Sequence, residues 1–210
     1  MAADAVPKDD VLTAARKLAD RTNYSWKTVV VVPESAQFKP GPTDGKTEKG
    51  GFTLVSMSFG DRMTEMAIKG DKTCITDPDG EWQSSADLEK AEGPARFMAW
   101  IAKNFKNPVD EASELAKSAK ELKKDGEVYS ADLTDEGAKG QFRFGSAKDA
   151  KGSVKFWVKE GQLAKYEFKV QGKVEFGGNE MDVDRTTTVE IKAVDATTIK
   201  VPEAAKKKLT

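Results

Sequence analysis

A chain of 210 residues can bury a core without disulfide or metal staples, and 38% hydrophobic against 33% charged residues implies a modest core under a heavily charged skin. Lysine plus arginine (34) and aspartate plus glutamate (35) balance, so overall charge gives no reason to expect nucleic acid or an anionic membrane as partner. With no histidine and the single cysteine Cys74, the chain has no intramolecular disulfide, no Ser-His-Asp or Cys-His nucleophile system, and not the commonest transition-metal ligand.

The start, Met1-Ala-Ala-Asp-Ala-Val-Pro, has neither a basic nor an apolar segment, and no later run approaches the ~20 apolar residues of a bilayer span. The chain is therefore not membrane-spanning, and it is either cytoplasmic or exported with its signal peptide removed. Asp9 and Asp10 then supply first-turn carboxylates for an amphipathic helix over 9–22, with Val11, Leu12, Ala15, Leu18 and Ala19 at helical spacing. A first β half follows over 24–84. Trp26 and Val29–Val32 read as a strand closed by Pro33, and 37–51, rich in proline and glycine, as a long mobile connection or irregular edge. Residues 52–59 and 63–69 alternate as a hairpin around Gly60-Asp61-Arg62. Residues 72–76 and 81–84 form a second around Asp77-Pro78-Asp79-Gly80, where proline sets φ and glycine accepts positive φ.

A helical lid is expected over 85–124. Within it Phe97, Trp100, Ile101 and Phe105 make one apolar stripe, and a third helix opens at Pro108 and carries Val109, Ala112, Leu115, Ala119 and Leu122 up to Asp125-Gly126. The second β half spans 127–201. Residues 134–151 fit either a helical turn or a loose loop carrying Phe142 and Phe144. From Gly152 the alternation is clean: Val154, Phe156 and Val158 share a face, and after Glu160-Gly161 so do Ala164, Tyr166, Phe168 and Val170. A short helix closes the chain over 202–209. Strands come in runs rather than alternating with helices, so the fold class is α+β with an antiparallel sheet in a single domain, 1–210.

The opening helix running into Asn23-Tyr24-Ser25-Trp26, the central helices, the hairpin from Phe156 to Tyr166, and the ending Thr187–Ile191 through Ile199-Lys200-Val201-Pro202 together resemble the LolA-like and LppX-like bacterial envelope proteins. The resemblance covers nearly the whole chain. It implies a curved antiparallel half-barrel of about 9–11 strands with helices covering the concave side. It also implies a periplasmic or otherwise exported protein. A lipobox cysteine is missing, since Cys74 falls inside an expected strand.

Candidate chemistry is thin. Asp77-Pro78-Asp79-Gly80-Glu81 brings three carboxylates within five residues but lacks the closing ligand pattern of a calcium loop, and reads as a turn. Asp182 and Asp184 flank Val183 on a solvated strand face, and Cys74, without a histidine to activate it, reads as a buried thiol. No metal or cofactor is called for. The aromatic and thioether content is more telling: a sheet capped by an apolar helix leaves room for an apolar ligand. Its expected lining is Met57, Met66, Phe97, Trp100, Ile101, Phe105, Phe156, Tyr166 and Phe168, with Met63 and Met98 nearby in sequence. The expectation is a non-enzymatic carrier for an apolar or lipid-like ligand; the alternative is an envelope interaction or scaffold domain with a protein partner.

Overall fold

The computed structural model describes residues 7–36, 39–60, 62–142, 145–176 and 178–210. Helix α1 (Pro7–Ala19) leads to β1 (Asn23–Val31), β2 (Thr43–Glu48), β3 (Phe52–Phe59), β4 (Arg62–Lys69), β5 (Lys72–Thr76) and β6 (Trp82–Ser84). Helices α2 (Ser85–Leu88), α3 (Pro94–Lys103) and α4 (Pro108–Ser118) follow. The chain continues through β7 (Lys123–Asp125), β8 (Val128–Asp132), α5 (Asp135–Lys139), β9 (Ser146–Lys159), β10 (Gln162–Phe176) and β11 (Asn179–Lys192) to α6 (Glu203–Lys208).

Among the described residues the eleven strands form one open antiparallel sheet in the order β6-β5-β4-β3-β2-β1-β11-β10-β9-β8-β7. The fold is α+β, as expected from the runs of strands. Every neighbour in that order is also a neighbour in sequence except β1 and β11, so two meanders meet where the first strand lies beside the last. The chain divides into two units: one holds α1, α4, α5 and β7–β10 with most of β11, the other β2–β6, α2, α3 and α6, and β1 contributes to both.

In the first unit the long strands bury alternate residues. Val154, Phe156 and Val158 of β9 are buried while Lys155 and Lys159 are exposed. On β10 the inward positions are Leu163, Tyr166, Phe168 and Val170 rather than the expected Ala164. The cause is a bulge between Leu163 and Lys165, which leaves Ala164 without a partner and shifts the alternation by one. Lys159 pairs with Gln162 across Glu160 (φ 51°) and Gly161 (φ 72°), a two-residue turn with both φ values positive whose twist matches that of the strands it joins. Helix α1 packs on α4 and β10 through Val11, Ala14, Ala15 and Leu18, one stripe at helical spacing.

Two expectations about boundaries change and one open alternative is resolved. The third central helix stops at Ser118, because Ala119 forms an antiparallel bridge with Leu133 and Lys123–Asp125 pairs with β8 as a strand. Of the two alternatives for 134–151 the helical turn is found at Asp135–Lys139, and β9 begins at Ser146. Thr134 caps that turn by accepting from the Gly137 N–H at 3.0 Å, while Phe144 lies outside the described residues. The connection expected around 37–51 contains β2, paired with β3 over Thr43–Thr47; Gln37 and Phe38 lie outside the described residues, as does Asp61 of the first hairpin turn.

Candidate functional site

In the second unit the register places Val55 opposite Met66, Met57 opposite Thr64, and Met66 opposite Ile75. Residues directly opposite share a face, so these five form one continuous surface of β3–β5, and all are buried. Gly45 stands opposite Val55 on β2. A Cβ there would lie 2.0 Å from Cζ2 of Trp26, so the indole occupies the space a side chain would need. Trp26 is 3% exposed and stacks on Phe105 (centroids 6.4 Å, planes 28° apart), with Tyr24 tilted beside it at 5.8 Å. Phe105 belongs to the short link between α3 and α4.

The opposite face of the same strands is also covered. Ala67, Cys74 and Trp82 cluster with Val201, Ala205 and Leu209, and Phe52, Leu54 and Ile199 pack around them. Cys74 donates from Sγ to the Ala205 carbonyl at 3.6 Å, and burial pushes its thiol up to about 11. The thiol is thus a neutral core group under the C-terminal helix. It faces away from Met66, because Cys74 pairs with Ala67 and neighbouring residues of a strand point to opposite sides.

Helix α3 packs on α2 and β5. Among its described side chains the buried ones are Ala99 and Ala102, at 1% and 5% exposure. At 100° per residue these two lie on the side opposite Phe97 and Ile101. Phe97 is 43% exposed, with Trp100 stacked parallel to it (6.1 Å, 5°), and Met98, Trp100 and Ile101 are only half-buried. Small residues bring the helix close to its neighbours, and the large apolar ones look elsewhere.

The remaining expected lining residues belong to the first unit. Tyr166 stands opposite Phe156 with ring centroids 6.4 Å apart, and Phe168 stands opposite Val154. All three aromatics are buried, and the Tyr166 hydroxyl donates to Glu111 Oε2 of α4 at 2.7 Å. The same unit has a charged cleft of about 360 Å³ between α1 and the β7–β8 and β9–β10 turns. In it the buried Tyr129 donates to Asp10 Oδ2 at 2.8 Å, and the Lys124 ammonium lies 3.3 Å from the same carboxylate and 5.1 Å from the Tyr129 ring centre. Burial above all holds the Tyr129 phenol above its ordinary value.

The acidic motifs are structural. Asp77 accepts from the N–H groups of Asp79 (3.0 Å) and Glu81 (2.9 Å) and from the Gln83 side chain (3.2 Å). Burial pulls its carboxyl up, but these donors outweigh it and hold the group below its usual range. Asp184 accepts from Gln171 at 2.9 Å and pairs with Lys169 at 3.4 Å, at the sheet surface. Among the described residues no three histidine, cysteine or carboxylate side chains converge on a metal position, and no helix is long and apolar enough to cross a membrane.

Nine expected lining residues thus fall into two sets. Met57, Met66, Phe97, Trp100, Ile101 and Phe105 belong to the second unit, and Phe156, Tyr166 and Phe168 to the first. Within the second unit the sequence reading missed Trp26 and Gly45. Tyr24 and Trp26 are buried on either side of half-buried Ser25, a local alternation, but nothing local tells that a glycine of another strand makes room for the indole.

No family model and no curated protein matches the chain. Among solved structures it is similar to LprF from Mycobacterium bovis, with a TM-score of 0.51 and 9% identity over 95% of this chain and 97% of that one. It is also similar to the Mycobacterium tuberculosis lipoprotein LppX, with a TM-score of 0.49 and 7% identity over 94% and 99%. A LolA superfamily protein from Nitrosomonas europaea matches with a TM-score of 0.38 and 8% identity over 93% and 96%. At 9% identity the likeness to LprF is one of fold.

Proposed function

We propose that the protein is an exported, non-enzymatic carrier that holds an apolar or lipid-like ligand against the Val55–Met57–Met66–Ile75 face of β3–β5. The observation that supports this reading is the composition of that face. Two flexible thioethers lie on it, and in the same unit Trp26 stacks on Phe105, a residue of the irregular link between α3 and α4. Apart from the Thr64 hydroxyl the face is apolar, and it carries no acid or base, so it suits binding and release. The ligand takes the place of Phe105 on Trp26, Met57 and Met66 change rotamer to fit it, and Trp100 and Ile101 border its entrance. Phe156, Tyr166 and Phe168 are the proposed lining within their own unit. The likeness to LprF supplies the fold on which this reading rests and no more.

Native mass spectrometry of protein purified from a bacterial host, with solvent extraction, tests the proposal. The expected result is a co-purifying apolar species, uptake of a fluorescent fatty acid by stripped protein, and a melting temperature that rises with ligand concentration. Met66→Trp, which fills the face, is expected to weaken uptake by roughly tenfold while the protein stays folded. A chain that carries nothing from the cell and takes up no apolar probe would overturn the reading.

A further inference from the structure

The Val55–Met57–Met66–Ile75 face carries one polar side chain. Thr64, Thr76 and Thr187 are the threonines buried among the described residues, each 7% exposed. Thr76 accepts from the Glu65 N–H at 3.0 Å. The hydroxyls of Thr64 and Thr187 have no hydrogen-bond partner among the described residues. Thr187 stands in the other unit, opposite Phe168. Thr64 stands opposite Met57 and two residues before Met66, so its side chain shares the face with both thioethers. A hydroxyl removed from water without a partner weakens a fold. Valine has the same shape and the same strand preference and would fill position 64 without that penalty. The neighbours do not compensate, because a thioether sulfur is a weak acceptor and the other side chains of the face are hydrocarbon.

Resting on the carrier reading of this face, we infer that Thr64 is its specificity-determining residue and hydrogen-bonds a neutral oxygen, hydroxyl or ester carbonyl, of the otherwise apolar ligand. A threonine hydroxyl both donates and accepts, so it matches either group. The oxygen is a neutral one. No lysine or arginine stands among Val55, Met57, Thr64, Met66 and Ile75 or in the Trp26–Phe105 stack, and an ionised carboxylate brought there would be desolvated without a counter-charge. A pure hydrocarbon would leave the hydroxyl unmatched, so Thr64 discriminates against it. Met57 and Met66 shape themselves to the chain around that single polar point.

The test is displacement of a neutral fluorescent probe, N-phenyl-naphthylamine, from the stripped full chain by dodecane, dodecanol, methyl dodecanoate and dodecanoate, which share one chain length. The advantage of dodecanol or the methyl ester over dodecane is expected to fall about fivefold in Thr64→Val, the loss of one hydrogen bond. Comparing variants for the same pair of ligands cancels their different solubilities. A loss confined to dodecanol assigns a hydroxyl, and one confined to the ester a carbonyl. Thr64→Ser keeps the advantage, and so does Thr187→Val, equally buried but in the other unit. Ligand-free Thr64→Val should melt at or above the wild-type temperature, since it loses a hydroxyl that nothing in the fold uses. An unchanged advantage in Thr64→Val, an equal loss in Thr187→Val, a lower melting temperature in Thr64→Val, or dodecanoate competing better than its methyl ester overturns the inference. Probe uptake with the advantage unchanged removes the role of Thr64 and leaves the carrier, whereas a chain that takes up no probe sinks both.

Discussion

Gly45 and Trp26 show how a single missing side chain can set the shape of a surface. The indole lies where a Cβ at position 45 would be, 2.0 Å from ring atoms. Gly45→Ala must therefore move Trp26, and with it the ring of Phe105. The expected cost is roughly 1–3 kcal/mol, the usual penalty for overpacking a well-filled interior, measured by urea denaturation. Tryptophan emission of the folded variant should shift at the same time, because the stack with Phe105 is disturbed. Val55→Ala, on the strand opposite, creates space instead and should leave the emission close to that of the wild type while still lowering stability. These residues also show where sequence reasoning reaches its limit. The period-two pattern of 154–170 was readable because alternation is local, and it failed only at Ala164, where a bulge interrupts the period. The pairing of Gly45 with Trp26 is set by strand neighbours separated in sequence, and no local pattern encodes it.

Among the elements, α6 and α3 illustrate two ways of using an amphipathic helix. Helix α6 turns Ala205 inward, with Leu209 just past its end, onto the face that carries Cys74, and its lysines stay outside. Burial there raises the Cys74 thiol from an ordinary 9.0 to about 11. A thiol whose folded value lies above its unfolded one stabilises the fold fully below the unfolded value and loses that contribution as pH rises through the folded one. Denaturation midpoints should therefore fall between about pH 9 and 11 in the wild type, and less steeply in Cys74→Ala. At pH 8 the buried thiol stays protonated, so Ellman's reagent should label the folded protein slowly, and removal of residues 203–210 should speed labelling sharply. Helix α3 turns part of its apolar stripe outward: Phe97 is exposed and Trp100 and Ile101 are half-buried, while Phe105, past its end, stacks on Trp26. The stripe was legible at i, i+3, i+4 and i+8, but which side of the helix would be buried was not. Packing favoured Ala99 and Ala102, which allow a close approach to α2 and β5. A hydrophobic stripe predicts a buried face only when nothing smaller competes for the contact.

At the scale of the molecule, the sheet order was within reach of the sequence in all but one step. Hairpin follows hairpin, short turns fix each pairing, and ten strand neighbourhoods connect eleven strands with a single departure from chain order. That departure, β1 beside β11, brings together segments 23–31 and 179–192. It has a kinetic consequence. All other pairings close short loops and can form early, whereas this one must await the ordering of nearly the whole chain. The β9–β10 hairpin, with strands of 14 and 15 residues joined by Glu160-Gly161, is the natural place for folding to begin. Gly161→Ala, which forces a side chain to φ 72°, should slow refolding in stopped-flow experiments and leave the unfolding rate nearly unchanged. Val189→Ala removes a buried side chain from β11 and should cost roughly 1–3 kcal/mol, appearing almost wholly as faster unfolding. The seam between first and last strand would then be the last part of the sheet to close and the first to open, and the lifetime of the native state would be governed there.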